Sequence, residues 1–212
     1  MDREKCLQMS HQINFLFLAF LLLIWPSDSR ASDSREFLIQ SLEKVESMQS
    51  FFEQTRSGSD EKFSGQLLFQ KPNLFRLDIG PPISQSITSD GEFLWVYDKD
   101  LEQVIVSHLT NSLSEMPFMR LLSEPRDFLM GTEIMNLSQD EERFRISVKE
   151  SESPLEFVDL DFTDGLISRI FLASRIGEPL EVFFIQMSLL EVLPRKNFMF
   201  VLPESIDLID HR

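Results

Sequence analysis

The sequence predicts a single domain of mainly β structure with a few short helices, built on one antiparallel sheet. Three observations carry that expectation. From Phe63 onward, apolar residues recur with period two over several short stretches, the pattern of strands with one buried face. Two Asp-Gly pairs, Asp90-Gly91 and Asp164-Gly165, sit between apolar runs, where two-residue hairpin turns belong. One segment, "SLSEMPFMRLLSEPRDFLM", breaks the alternation with helical spacing and two prolines.

The chain starts with a targeting signal. "INFLFLAFLLLIW", residues 13–25, follows Arg3 and Lys5 and runs into "PSDSRAS", with Ser29 and Ala31 at the minus-three and minus-one positions of a cut after Ala31. A spanning helix wants about 20 apolar residues, more than this run offers, so residues 1–31 read as a secretory signal peptide and 32–212 as one mature domain. Cys6, the single cysteine, leaves with it, so the mature domain has no disulfide to rely on. Core burial must stabilise it, and the 20 phenylalanines supply the means. A net charge of −15 argues against nucleic acid and anionic membrane surfaces, which are held largely by Lys and Arg.

In the mature part, Leu38, Leu42, Val45, Met48 and Phe52 recur at intervals of three and four, which predicts an amphipathic helix over 34–52 capped by Asp33 or Ser34. Strands follow at Phe63–Phe69 and Phe75–Ile79, and later in "RFRISVKE", "LEFVDLDF", "LISRIFLAS", "PLEVFFIQMS" and "NFMFVL". "FLWVY" is apolar on both sides, Phe93, Trp95 and Tyr97 against Leu94 and Val96, so both faces of the sheet must be covered there. The proline-broken segment predicts one or two short helices, read either as ordinary core or as an adaptable, methionine-rich cover on the sheet.

Catalytic patterns are largely missing. The mature chain retains His108 and His211 and has no GxSxG, HExxH or glycine-rich phosphate loop, so no cofactor and no metal is expected. An EF-hand loop starting at Asp98 would need Gly at 103 and Glu at 109 and finds Gln103 and Leu109, so the acidic run is a solvated turn. A pair of carboxylates for glycoside hydrolysis is the weak enzymatic alternative.

"FSGQLLFQKPNLFRLD", "SDGEFLWVYDKDLEQV", "MPFMRLL" and "NFMFVLPESIDLID", in that order and at that spacing, resemble the periplasmic outer-membrane lipoprotein carrier (LolA) family, over nearly the whole mature chain. The stretch ending in "SFFEQ" is similar to that family's first helix. The resemblance implies an incomplete antiparallel β-barrel, a half-barrel whose concave apolar face is covered by short helices. It implies a non-enzymatic monomer in the periplasm that takes acylated lipoproteins from an inner-membrane ABC transporter to an outer-membrane receptor. A half-barrel that senses or stores lipid is the alternative. The expected acyl cavity is lined by Leu42, Val45, Met48 and Phe52 on the first helix, Phe75 and Leu77 on the sheet, and Phe118, Leu121 and Leu122 on the cover. The sequence departs from the family pattern twice: Lys71 stands where the resemblance implies an arginine latch on the cover, losing its fork of donors, and Leu77 stands where a tryptophan is common.

Overall fold

The computed structural model describes residues 29–56, 61–113, 116–138, 142–149 and 153–212, so residues 1–28 of the expected signal peptide lie outside the described residues. Helix α1 (Ser29–Glu43) leads into a first meander: β1 (Ser47–Arg56), β2 (Lys62–Gln70), β3 (Leu74–Ile79), β4 (Gln85–Asp90), β5 (Phe93–Asp98) and β6 (Gln103–His108). Three short helices follow, α2 (Leu109–Ser112), α3 (Pro117–Ser123) and α4 (Pro125–Leu129). A second meander runs through β7 (Glu133–Asn136), β8 (Arg143–Ser147), β9 (Leu155–Thr163), β10 (Leu166–Ser174) and β11 (Leu180–Leu189). A 3-10 turn (Arg195–Phe198) and β12 (Asp207–His211) end the chain.

The two meanders meet at β1, where Phe52 lies opposite Gly65 of β2 and Phe184 of β11. The result is one open twelve-stranded sheet, in the order β12-β6-β5-β4-β3-β2-β1-β11-β10-β9-β8-β7. Its pairs are antiparallel except at one edge, where β12 lies parallel to β6. Both Asp-Gly pairs turn hairpins as expected: Gly91 (φ 97°) opens the β4–β5 turn, and Asp164 (φ 53°) with Gly165 (φ 74°) forms the β9–β10 turn. This is the predicted mainly β half-barrel, with short helices on its apolar side.

Four local expectations are corrected. The first helix does not run to Phe52: it ends at Glu43, and residues 47–56 are the central strand β1. Met48 and Phe52 are four apart, a spacing that keeps them on one face of a strand as well as of a helix. Ser50, fully buried between them, donates its hydroxyl to the Ile185 carbonyl of β11 at 3.2 Å, and pairing on both edges of β1 overrides the helical period. Second, the helix starts at Ser29, so Asp33 and Ser34 lie inside it and do not cap it. Third, "NFMFVL" is not a strand; it begins in the 3-10 turn and continues without ladder bonds. Fourth, β7 and β12 form strands that the alternation did not announce.

The two faces of the sheet are finished differently. On the concave side, Phe69, Phe75, Ile146 and Leu160 share one core with Leu38 and Leu42 of α1 and Leu121 and Leu122 of α3. Leu94 and Val96 of β5 point into this core. Trp95 and Tyr97 point outward and meet the chain's end, with the Phe200 ring stacked on Trp95 at 5.2 Å and edge-on to Tyr97 at 6.2 Å. The Arg212 guanidinium sits 5.4 Å from the Phe93 ring. The outer face of the second meander carries ion pairs instead of a covering layer: Arg145 chelates Asp159 (2.7 and 2.8 Å), and Arg169 joins Asp161 (3.4 Å) and Glu181 (2.5 Å). Arg145 also lies over the Phe157 ring at 3.8 Å. Charge and stacked rings thus satisfy that face in water, and the concave side is the one the fold must fill.

Candidate functional site

Between the concave face and α3 the structure holds an apolar cavity of about 190 Å³. Its sheet wall includes inward residues of β1, β2, β3, β10 and β11, namely Phe52, Leu67, Leu77, Ile170, Val182 and Phe184, and its roof comes from Met116, Phe118 and Met119. The walls follow from period two, because each of these strands sends alternate side chains to this face. The roof follows from Pro117, which starts α3 at its N1 position, where a missing N–H costs nothing, so that Phe118 is the first side chain turned down onto the sheet. The Phe118 and Phe184 rings lie 5.4 Å apart. Gln54 is the polar residue on the wall.

Of the expected lining, Phe52, Leu77 and Phe118 border this cavity. Leu42, Val45, Met48, Phe75, Leu121 and Leu122 are all buried in the surrounding core rather than on the cavity wall. The wall contributed by β10 and β11, Ile170, Leu172, Leu180, Val182 and Phe184, was missed as a site, although "PLEVFF" alternates at the required spacing.

The cover is tied down by α1. Arg35 donates to the carbonyls of Leu129 and, at 2.7 Å, Thr132, so one guanidinium caps the open C-terminal end of α4. Arg126 of α4 forks onto both carboxylate oxygens of Glu43 at 3.1 Å. The Lys71 ammonium does not bond to α3 or α4 among the described residues. It donates to the Leu42 (3.2 Å) and Glu43 (2.9 Å) carbonyls and sits 3.7 Å from the Glu46 carboxylate, closing the end of α1. Burial lowers the Lys71 pKa from its ordinary value, against the pull of Glu46 and Glu43. Lys71 therefore fixes the helix to which the cover is tied, while Arg35, invisible as a latch in the sequence, touches the cover itself.

Among the described residues no group of three or more His, Cys, Asp or Glu is placed to hold a metal ion, and no helix is long and apolar enough to cross a membrane.

Comparison with known proteins agrees with this geometry. The profile of the family "Outer membrane lipoprotein carrier protein LolA" matches residues 43–201. An outer-membrane lipoprotein carrier protein of Hahella chejuensis is 30% identical over 79% of this chain and 84% of its own. Proteins of the same description from Pseudomonas aeruginosa (29% identical, 93% of this chain, 98% of that one) and Pasteurella multocida (28%, 91% and 94%) are also similar. Among solved structures, an uncharacterized conserved protein from Thermus thermophilus superposes with a TM-score of 0.55 over 84% of this chain and 99% of that one, at 9% identity, a likeness of fold alone. The profile match spans most of the chain, and the protein belongs to the outer membrane lipoprotein carrier protein LolA family.

Proposed function

We propose that the protein is a periplasmic carrier, not an enzyme, that shields the acyl chains of lipoproteins released by an inner-membrane ABC transporter and hands them to an outer-membrane receptor. The observation that carries this reading is the small apolar cavity roofed by Met116, Phe118 and Met119. An apolar cavity of about 150 Å³ accepts one benzene, so 190 Å³ holds little more than a short stretch of one chain. Acyl chains enter by displacing the roof.

That requirement matches the energetics of a carrier. Each buried methylene contributes about 0.8 kcal/mol, so two or three chains buried in a ready-made cavity would exceed the roughly −20 kcal/mol at which reversible affinity saturates. Because the roof residues already fill part of the space, entry of a chain exchanges one apolar contact for another. The net gain falls to a value from which release is feasible. Phe118 is the natural gate, packed on Phe184 yet only half buried.

Purification of the protein from a bacterial envelope, followed by mass spectrometry of whatever leaves with it, tests the proposal. Acylated protein N-termini bound in a one-to-one complex are expected. Free lipid alone would favour a sensing or storing role, and an empty protein that takes up no acyl probe would refute the cavity as a site.

A further inference from the structure

Beneath the cover the apolar cavity does not end blindly. Pro117, Leu172 and Leu180 border both it and a second, wider chamber of about 420 Å³ between α3 and α4 and the ends of β8, β10 and β11. The second chamber has a mixed wall: Phe128, Leu155 and Leu172 share it with the charged residues Arg120, Asp127, Lys149 and Glu178. The cationic groups differ in how they are engaged. Lys149 is paired with Glu133 at 3.0 Å. The Arg120 guanidinium has no carboxylate within 4 Å among the described residues and lies 5.9 Å from the Phe128 ring. Arg120 is thus the cationic side chain of this chamber that no carboxylate engages among the described residues.

Resting on the carrier reading, we infer that this chamber holds the oxygen-bearing root of the acyl ligand, with Arg120 donating to the carbonyl oxygens of the ester or amide linkages from which the chains hang. The geometry sets the direction: chains pass over Pro117, Leu172 and Leu180 into the apolar cavity, and the linkage stays where hydrogen-bond donors and water remain available. Guanidinium suits this position because its fork of fixed donors can serve two carbonyls at once while its charge stays within 5.9 Å of the Phe128 ring. An apolar chain end left in the charged chamber would stay in contact with water, and a linkage pushed into the apolar cavity would be a polar group buried without partners. Ester carbonyls at the root of paired chains are shared by lipoproteins and glycerophospholipids, so the chemistry names a linkage rather than a source.

The test uses the mature protein, a fluorescent apolar dye displaced from the cavity, and two soluble glycerides with equal chains: 1,2-dioctanoylglycerol, with ester carbonyls, and 1,2-di-O-octylglycerol, with ethers. The ester is expected to displace the dye at roughly tenfold lower concentration, the size of one charge-assisted hydrogen bond in a partly wet site. Arg120→Met is expected to erase the ester preference while leaving the ether's midpoint in place, and Lys149→Met to leave both as they were. Equal midpoints for the two glycerides in the unaltered protein, or an ester preference that survives Arg120→Met, overturn the assignment while leaving the cavity reading intact. Failure of both glycerides to displace the dye overturns the cavity reading and the assignment with it. A dioctanoyl-glycerylcysteinyl peptide and dioctanoyl phosphatidylglycerol, run beside them, separate the two sources by which one shows the larger Arg120 dependence.

Discussion

Arg35→Ala should loosen the cover without unfolding the sheet. The side chain donates to the Leu129 and Thr132 carbonyls, joining α1 to the last residue of α4 and the turn behind it. The Leu129 carbonyl would not be orphaned, because the Thr132 hydroxyl also donates to it at 2.8 Å. The Thr132 carbonyl would lose its bond. A hydrogen bond to a charged donor is worth about 1.5–3 kcal/mol, and the half-exposed setting with one acceptor still served brings the loss for the pair to about 1–2 kcal/mol. If that energy separates closed from open cover, the open population rises roughly 5- to 30-fold. Amide hydrogen exchange reads this directly: the amides of Arg120, Glu124 and Phe128, bonded to carbonyls four residues back, should exchange faster by that factor, with the amides of β1 to β5 unchanged. Glu43→Gln, which removes the exposed pair with Arg126 and one of the two carboxylates acting on Lys71, should change the same rates by about twofold or less. Equal acceleration in sheet and cover would mean Arg35 stabilises the whole domain, and no acceleration would mean the cover is held by its apolar contacts alone; either refutes the latch.

Phe118→Glu places a carboxylate against Phe184 under the roof; the protein should fold with a lowered Tm and lose acyl-dye uptake at least tenfold, and full uptake by a folded variant would remove Phe118 from the site. Gly65→Ala puts a methyl onto the Asp78 carbonyl and 2.7 Å from the Phe52 ring; overpacking of about 1–3 kcal/mol should lower Tm by roughly 2–12 °C in thermal unfolding. Burial acts to raise the Asp78 pKa, but Arg76 (2.8 Å), the Ser86 hydroxyl (2.7 Å) and Lys99 outweigh it and hold the carboxyl below its ordinary value. The stability it contributes is present above the unfolded pKa of about 3.9 and is lost as pH falls through the folded value, so the stability gap between the protein and Asp78→Asn should close below about pH 4 in urea titrations. N-terminal sequencing of envelope-derived protein should find a start at Ser32, and an intact Met1 in the membrane fraction would refute the signal-peptide reading.

Period two and turn chemistry made the strands legible, because alternation such as Phe144–Ile146 and pairs such as Asp164-Gly165 encode face and turn locally. Helix α1 was legible only as far as Leu42, since a four-residue spacing fits either a strand or a helix and the strand that won depends on β11, far along the chain. β12 could not be read from its residues: Leu208 and Ile209 alternate with nothing in particular, and its parallel partner β6 lies far back along the chain, reached by a tail that packs Phe200 on Trp95. The site divided in the same way. Phe118 was marked by its own proline, whereas Arg35 sits on the polar side of an ordinary helical pattern, and its targets are backbone carbonyls, which carry no sequence signal.

The position of β1 bears on how such a chain comes together. Phe52 pairs with Gly65, its near neighbour along the chain, and with Phe184, which arrives only after the cover and nearly all of the second meander. Closing so long a loop is a slow step, since its entropy is lost before any contact rewards it. Until β11 docks, the part of the first meander's concave face that α1 leaves uncovered would be a bare apolar surface. The cover, Met116 to Leu129, falls in the chain between the two meanders, so it is at hand to sit on that face before its other wall exists. The segment that, on the carrier reading, yields to acyl chains would thus also, by its place in the order of the chain, join α1 in shielding that face before the second meander closes it.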